Sequence, residues 1–207
     1  LDDQQVAALL NTARGGDMEH LITVALFTGC RLSELLGLTW GAVNFKQGTI
    51  TINKQLARPE HRGATPFISP KNGKPRTISP AASVMTTLKR QKRRQLEQQL
   101  KAGPLWDNLY RVVFSTEIGE PLDQWKAEKE FSAVLEAAGL TGIRFHDLRH
   151  SYAVNAIRAG DDIKTIQGNL GHASAAFTLD RYGHFTERMK QDSATRMEGF
   201  MKNVLNL

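Results

Sequence analysis

Residues 18–28, MEHLITVALFT, are apolar on most of the faces that a helix presents. Such a helix is stable only where other elements cover it on all sides, so the rest of this chain must be built around it. Gly29 breaks the run, and Arg31 opens a shorter helical segment, RLSELLGL. Upstream, Asp2 or Asp3 can cap a helix over QQVAALLNTAR, which Gly15-Gly16 ends.

Downstream the pattern changes period. In TITIN, Ile50 and Ile52 alternate with polar residues, as in a half-buried strand. ARPEHRGATP reads as a polar loop, and PFISPKNGKPRTISP as two short strands around an Asn72-Gly73 turn. A long helix over 81–101 carries Lys89, Arg90, Lys92, Arg93 and Arg94, and Gly103-Pro104 stops it. Its basic run suits either a path along phosphates or a solvated helix face. A helix near 123–138 and the turn GLTG lead to a helix from His146 to about Ala159, ended by Gly160. Asp161 or Asp162 caps the next, DIKTIQGNL. Near the end, Met197, Phe200, Met201 and Val204 recur on one helix face. The expected fold class is mainly α with a small antiparallel β-sheet (α+β), about three strands in size. No repeat, low-complexity stretch or internal linker divides the chain, so one domain over 1–207 is expected.

The length of 207 residues suits one domain with a sizeable core. A content of 41% hydrophobic and 23% charged residues is that of an ordinary soluble protein, and a net charge of +6 favours a polyanionic partner. The single cysteine, Cys30, excludes an internal disulfide and fits a reducing compartment; its apolar neighbours make it a small buried residue. No apolar run reaches the roughly 18 residues of a membrane span, and no signal-peptide pattern opens the chain. A cytoplasmic protein without a membrane partner is expected.

The polar motifs point to phosphodiester chemistry. In FHDLRH, His146 and Arg149 are spaced to share one helix face. LGH presents His172, Tyr182 follows in RYGH, and Arg31 lies far upstream. Two arginines, two histidines and a tyrosine are the parts needed to attack a phosphodiester with a phenol. The arginines would neutralise the non-bridging oxygens as charge grows there. His146 and His150 have the helical spacing of two metal ligands, but no matching carboxylate or cysteine set accompanies them, and Arg149 between them repels a cation. No GxxxxGK[ST] loop occurs. His20, His61 and His184 read as packing or surface residues, Tyr152 as packing, and His150 as packing or as a support behind the active-site residues. Glu34, one turn after Arg31, either orients an active-site cation or is a solvated carboxylate.

TGCRLSELLGLTW, HDLRH, LGH and RYGH, in this order, resemble the catalytic domain of the tyrosine recombinase (phage integrase) family. The resemblance runs from LDDQQVAALL to the tyrosine motif. It implies a tyrosine recombinase catalytic-domain fold in which Arg31 and Arg149 clamp the scissile phosphate. His146 would act as general base or orient the phosphate, His172 would donate to a phosphate oxygen, and Tyr182 would be the nucleophile. It aligns the lysine that protonates the leaving 5′ oxygen with Lys71, Lys74 being the alternative; the other lysine and Arg76 would touch the DNA backbone. It implies no cofactor, neither ATP nor a divalent metal. The partners would be double-stranded DNA attachment sites, with a homo-tetramer on two duplexes for the full-length protein and the state of this fragment left open. The family's N-terminal core-binding domain has no counterpart here, so an excised C-terminal catalytic domain is expected. Two other readings remain: a type IB topoisomerase-like nicking-closing enzyme, and a non-catalytic DNA-binding or excision regulator, which the helix-turn-helix look of 146–169 suggests.

Overall fold

The computed structural model describes residues 1–58, 60, 63, 65–70, 73–171 and 186–205, with only the backbone of 186–193. The chain forms two compact units, Leu1–Tyr152 and Ala153–Leu207.

In the first unit, α1 (Asp3–Ala13) begins at a reciprocal cap. Asp2 Oδ1 accepts the Gln5 N–H at 2.8 Å, and Gln5 Oε1 accepts the Asp2 N–H at 3.0 Å. Helix α2 (Glu19–Thr28) is the core helix that the sequence requires: Leu21, Ile22, Val24 and Ala25 are all fully buried. It packs against α1, against α3 (Leu32–Leu36) and against α4 (Ala82–Ala102). Gly29 closes α2 in the left-handed conformation, φ 64°, where a side chain would be strained.

The β structure is more divided than expected. Strands β1 (Val43–Asn44), β2 (Thr49–Ile52) and β5 (Arg76–Ile78) form an antiparallel sheet in the order β1-β2-β5, with Ile50 opposite Val43 and Ile78, and Ile52 opposite Arg76. A separate ladder joins β3 (Gln55–Leu56) to β4 (Phe67–Ile68). The two strands flanking Asn72-Gly73 therefore do not pair with each other, as a hairpin would require. Instead β5 pairs with β2, which buries Ile78 with Ile50 and Ile52, while β4 completes β3. Strand β3 passes so close to the end of α3 that a Cβ on Gly37 would lie 2.7 Å from the Gln55 Cα. Glycine is what permits that crossing.

Helix α4 buries Val84, Met85, Leu88, Gln91 and Gln95 along one face. The two glutamines satisfy backbone beside the isolated bridge of Val112 with Thr39: Gln91 Nε2 donates to the Val113 carbonyl at 3.0 Å, and Gln95 Nε2 to that of Val112 at 2.9 Å. His20 Nδ1 meets Gln91 Oε1 at 2.8 Å, and Trp40 Nε1 donates to Gln95 Oε1 at 2.7 Å. His20 is thus a buried packing residue. Of the basic run, Lys92 lies over the Trp40 and Phe45 rings, and Arg94 binds the Gly16 carbonyl and Asp17. Helix α5 (Gln124–Ala137), capped by Asp123, buries Ala127, Phe131 and Leu135. Helix α6 (Phe145–Ala159) follows, with Phe145 edge-on to Phe131 and Leu148 fully buried.

The second unit holds the rest of α6, α7 (Ile163–Leu170) and α8 (Thr186–Leu205). Asp162 caps α7 by accepting the Lys164 and Thr165 N–H groups, and Ile166 and Leu170 are buried. On α8, Met197, Phe200, Met201 and Val204 are exposed. The architecture is the α+β class expected. Among the described residues no helix is long and apolar enough to cross a membrane.

Candidate active site

The left-handed turn at Gly29 leads the chain from α2 into Arg31, the N-cap residue of α3. One turn on, Glu34 reaches back: its Oε2 accepts the Arg31 N–H at 2.9 Å, and its Oε1 accepts Arg31 Nη1 at 2.8 Å. Arg76 approaches the same carboxylate from β5, its Nη1 donating to Oε1 at 2.9 Å and its Nη2 to Oε2 at 2.6 Å. Glu34 is wholly buried, which overturns the reading of it as a solvated carboxylate. Burial alone would raise its pKa, but Arg76 and then Arg31 outweigh that effect and hold it below the usual carboxylate range.

Arg149 enters from α6. It is only 3% exposed, and its Nη1 donates to the Gly29 carbonyl at 2.7 Å. Three guanidiniums thus gather around one carboxylate, and the positive charge is in excess. The Arg149 guanidinium pKa is lowered to about 10, by burial first and then by Arg31, with Glu34 opposing and Arg76 adding. His146 lies on the first turn of α6, three residues before Arg149. Burial, then Arg149 and Arg31, hold its imidazole below the ordinary histidine value, which leaves it neutral near pH 7. The His150 ring stands edge-on to it at 5.1 Å.

Arg31, His146 and Arg149, distant in sequence, line one cleft of about 200 Å³ together with Cys30, Ser33 and Gln124. A larger hollow of about 390 Å³ beside α4 mixes Asp17 and Glu117 with Arg94 and Lys126 and gathers no comparable set. Cys30 is buried as expected, its thiol pushed up by burial and then by Glu34. Among the described residues no group of three His, Cys, Asp or Glu side chains could hold a metal ion.

The other expected site residues divide. Lys74 is exposed in the turn before β5. The Arg76 side chain, expected to touch the DNA backbone, is 12% exposed and pairs with Glu34. Its inward placement had a signal, since residues two apart in a strand share a face and Ile78 is a core residue. The Gly29 carbonyl, which holds Arg149, had no such signal. Lys71, His172 and Tyr182 lie outside the described residues, as do His61 and His184.

Known proteins resemble this chain in sequence and in fold. Residues 1–189 match the phage integrase family. The chain is 28% identical over 201 residues to a XerC-like tyrosine recombinase of Caldanaerobacter subterraneus subsp. tengcongensis, an alignment covering 92% of this chain and 51% of the relative. It is 31% identical over 206 residues to an integrase of Streptomyces ambofaciens, covering 96% and 52%. The chain spans about half the length of the curated relatives it matches. Its fold is that of the Tn1549 transposon integrase solved in complex with transposon right end DNA, with a TM-score of 0.75 at 21% identity over 96% of this chain and 65% of that one. From the helix that Arg31 opens to the HDLRH helix, and across nearly the whole sequence, the chain belongs to the phage integrase family.

Proposed function

We propose that this chain is the catalytic domain of a site-specific DNA recombinase, which breaks and rejoins strands through a covalent 3′-phosphotyrosyl intermediate. The observation that carries the reading is the cleft shared by Arg31, His146 and Arg149, whose surplus positive charge a phosphodiester would neutralise. Double-stranded DNA is then the substrate, and the full-length protein would act as a tetramer on two duplexes.

In this scheme the Tyr182 phenol oxygen attacks phosphorus while its proton passes to neutral His146. Arg31 and Arg149 fork hydrogen bonds onto the non-bridging oxygens, where charge grows in the transition state, and His172 donates to one of them. The bond to the 5′ oxygen breaks, and that oxygen takes a proton from Lys71, or from Lys74 in its place. In the return step a 5′-hydroxyl attacks the phosphotyrosyl bond, the strand is resealed and the phenol is released. The covalent link conserves the bond energy, so no ATP is needed, and the arginines supply the charge that a metal would bring.

A nicked duplex that loses its 5′-hydroxyl fragment after cleavage tests the reading. Incubated with it in EDTA, the protein is expected to form a denaturant-resistant adduct that Tyr182→Phe does not form. Tight binding without an adduct would instead make the chain a regulator, and a strict metal requirement would make it a nuclease. The pH profile of adduct formation follows from the two perturbed groups. The rate should rise as His146 loses its proton, with the midpoint below the ordinary imidazole value of about 6.5. Any fall from loss of the Arg149 charge should lie above the value of about 10 that holds in the empty cleft, because a bound phosphate favours the charged guanidinium. A rate with no inflection below about 6.5, following phenol ionisation alone, contradicts the assignment of His146.

A further inference from the structure

We infer that Arg76 is a positioning residue for Arg31: by occupying both oxygens of Glu34 it keeps the Arg31 guanidinium from turning wholly onto that carboxylate. The inference rests on the reading of the cleft as a phosphate site. An ionised carboxylate offers about four acceptor positions. Glu34 fills them with the Arg31 N–H, Arg31 Nη1, Arg76 Nη1 and Arg76 Nη2. With these four donors in place it has no capacity for a second guanidinium nitrogen of Arg31. Among the described residues the Arg31 guanidinium has no other hydrogen-bonded acceptor, and its side chain is 22% exposed at the cleft. Its remaining nitrogens can therefore serve an anion there.

Without Arg76 two acceptor positions open on a carboxylate that is wholly buried, where a lost hydrogen bond is expensive. The nearest compensation is for Arg31 to fork both oxygens, the geometry that arginine and carboxylate favour. Arg31 would then face Glu34 and not the cleft. Arg76 acts from β5, a different part of the chain, so cleft chemistry depends on how that strand is registered against β2.

The test measures adduct formation by Arg76→Gln on two nicked duplexes, one with a normal scissile phosphate and one with a neutral methylphosphonate there. A neutral centre has less need of the second guanidinium. Arg76→Gln should therefore react about 10- to 100-fold more slowly than wild type on the phosphate, by the order of an oxyanion donor's loss, and within a few-fold of wild type on the methylphosphonate. Equal slowing on both substrates would reduce Arg76 to a support of the fold, and no slowing on either would also overturn the inference. Arg76→Lys keeps the charge but cannot fork both oxygens. It should show the same selectivity to a smaller degree, and it carries the test if the glutamine variant does not fold. Absence of a Tyr182-dependent adduct in the wild type would instead count against the recombinase reading itself.

Discussion

Replacing Arg149 by glutamine is expected to slow adduct formation by about two to three orders of magnitude while raising the melting temperature. The rate loss follows from removing one clamp on the non-bridging oxygens. The stability gain follows from the cost of keeping that clamp charged. Arg149 is almost fully buried and its pKa is lowered to about 10, which corresponds to roughly 3 kcal/mol of unfavourable interaction with the charged form. The sign is that of a depressed base. Between pH 10 and the ordinary arginine value the unfolded chain binds more protons than the folded one, so below that window the folded state carries the full penalty. Glutamine removes the charge, although its amide ends two bonds short of the Nη1 position and so gives up much of the bond to the Gly29 carbonyl. Poorer packing and a weaker hydrogen bond offset part of the gain, leaving about 1 kcal/mol, or about 2–4 °C in a domain of this size. A bound DNA phosphate supplies the missing negative charge, so DNA should raise the melting temperature of the wild type more than that of Arg149→Gln. Thermal melts with and without the nicked duplex, alongside adduct assays, measure all three effects. A variant that melts several degrees lower yet forms adduct at the wild-type rate would make Arg149 a structural residue.

What could be read in the sequence follows the range of the forces involved. Helix α2 was legible because a segment apolar on most faces belongs in a core, and Asp2 and Asp162, each one of two candidate caps, start helices through bonds spanning two or three residues. The His146–Arg149 spacing was legible for the same reason. Strands β1 and β3 are two residues long, too short to show a period of two. The Asn72-Gly73 signal describes a turn but not the partners of its flanks, which the edges of β2 and β3 decide. The bond from Arg149 to the Gly29 carbonyl spans 120 positions, and a backbone acceptor leaves no trace in residue type. The pairing of Arg76 with Glu34 spans 42 positions and left no local signal of the partner. A buried carboxylate can draw an arginine inward, and Glu34 was the residue whose burial the sequence left open.

The same carboxylate carries the largest stability effect expected in the molecule. Glu34→Ala removes the counter-charge of Arg31 and Arg76 and the negative charge that most opposes the lowered pKa of Arg149. Breaking a buried ion pair by deleting one partner costs about 3–5 kcal/mol, because the other charge stays behind. In a domain of this size that is a fall of about 10 °C in melting temperature. The acid side gives a second signature. Glu34 has a depressed pKa in the folded state, so it contributes stability above the ordinary carboxylate value and loses it as pH falls through the folded one. The stability of Glu34→Ala should therefore decline less steeply between neutral and acid pH than that of the wild type. The decisive comparison is the double variant Glu34→Ala/Arg149→Gln. If the penalty is unpaired positive charge, removing one of the three guanidiniums should recover at least about 1 kcal/mol beyond the sum of the single effects, the coupling expected of groups in one network. Strict additivity would mean that Glu34 stabilises α3 by local capping alone and that the three arginines do not share its field.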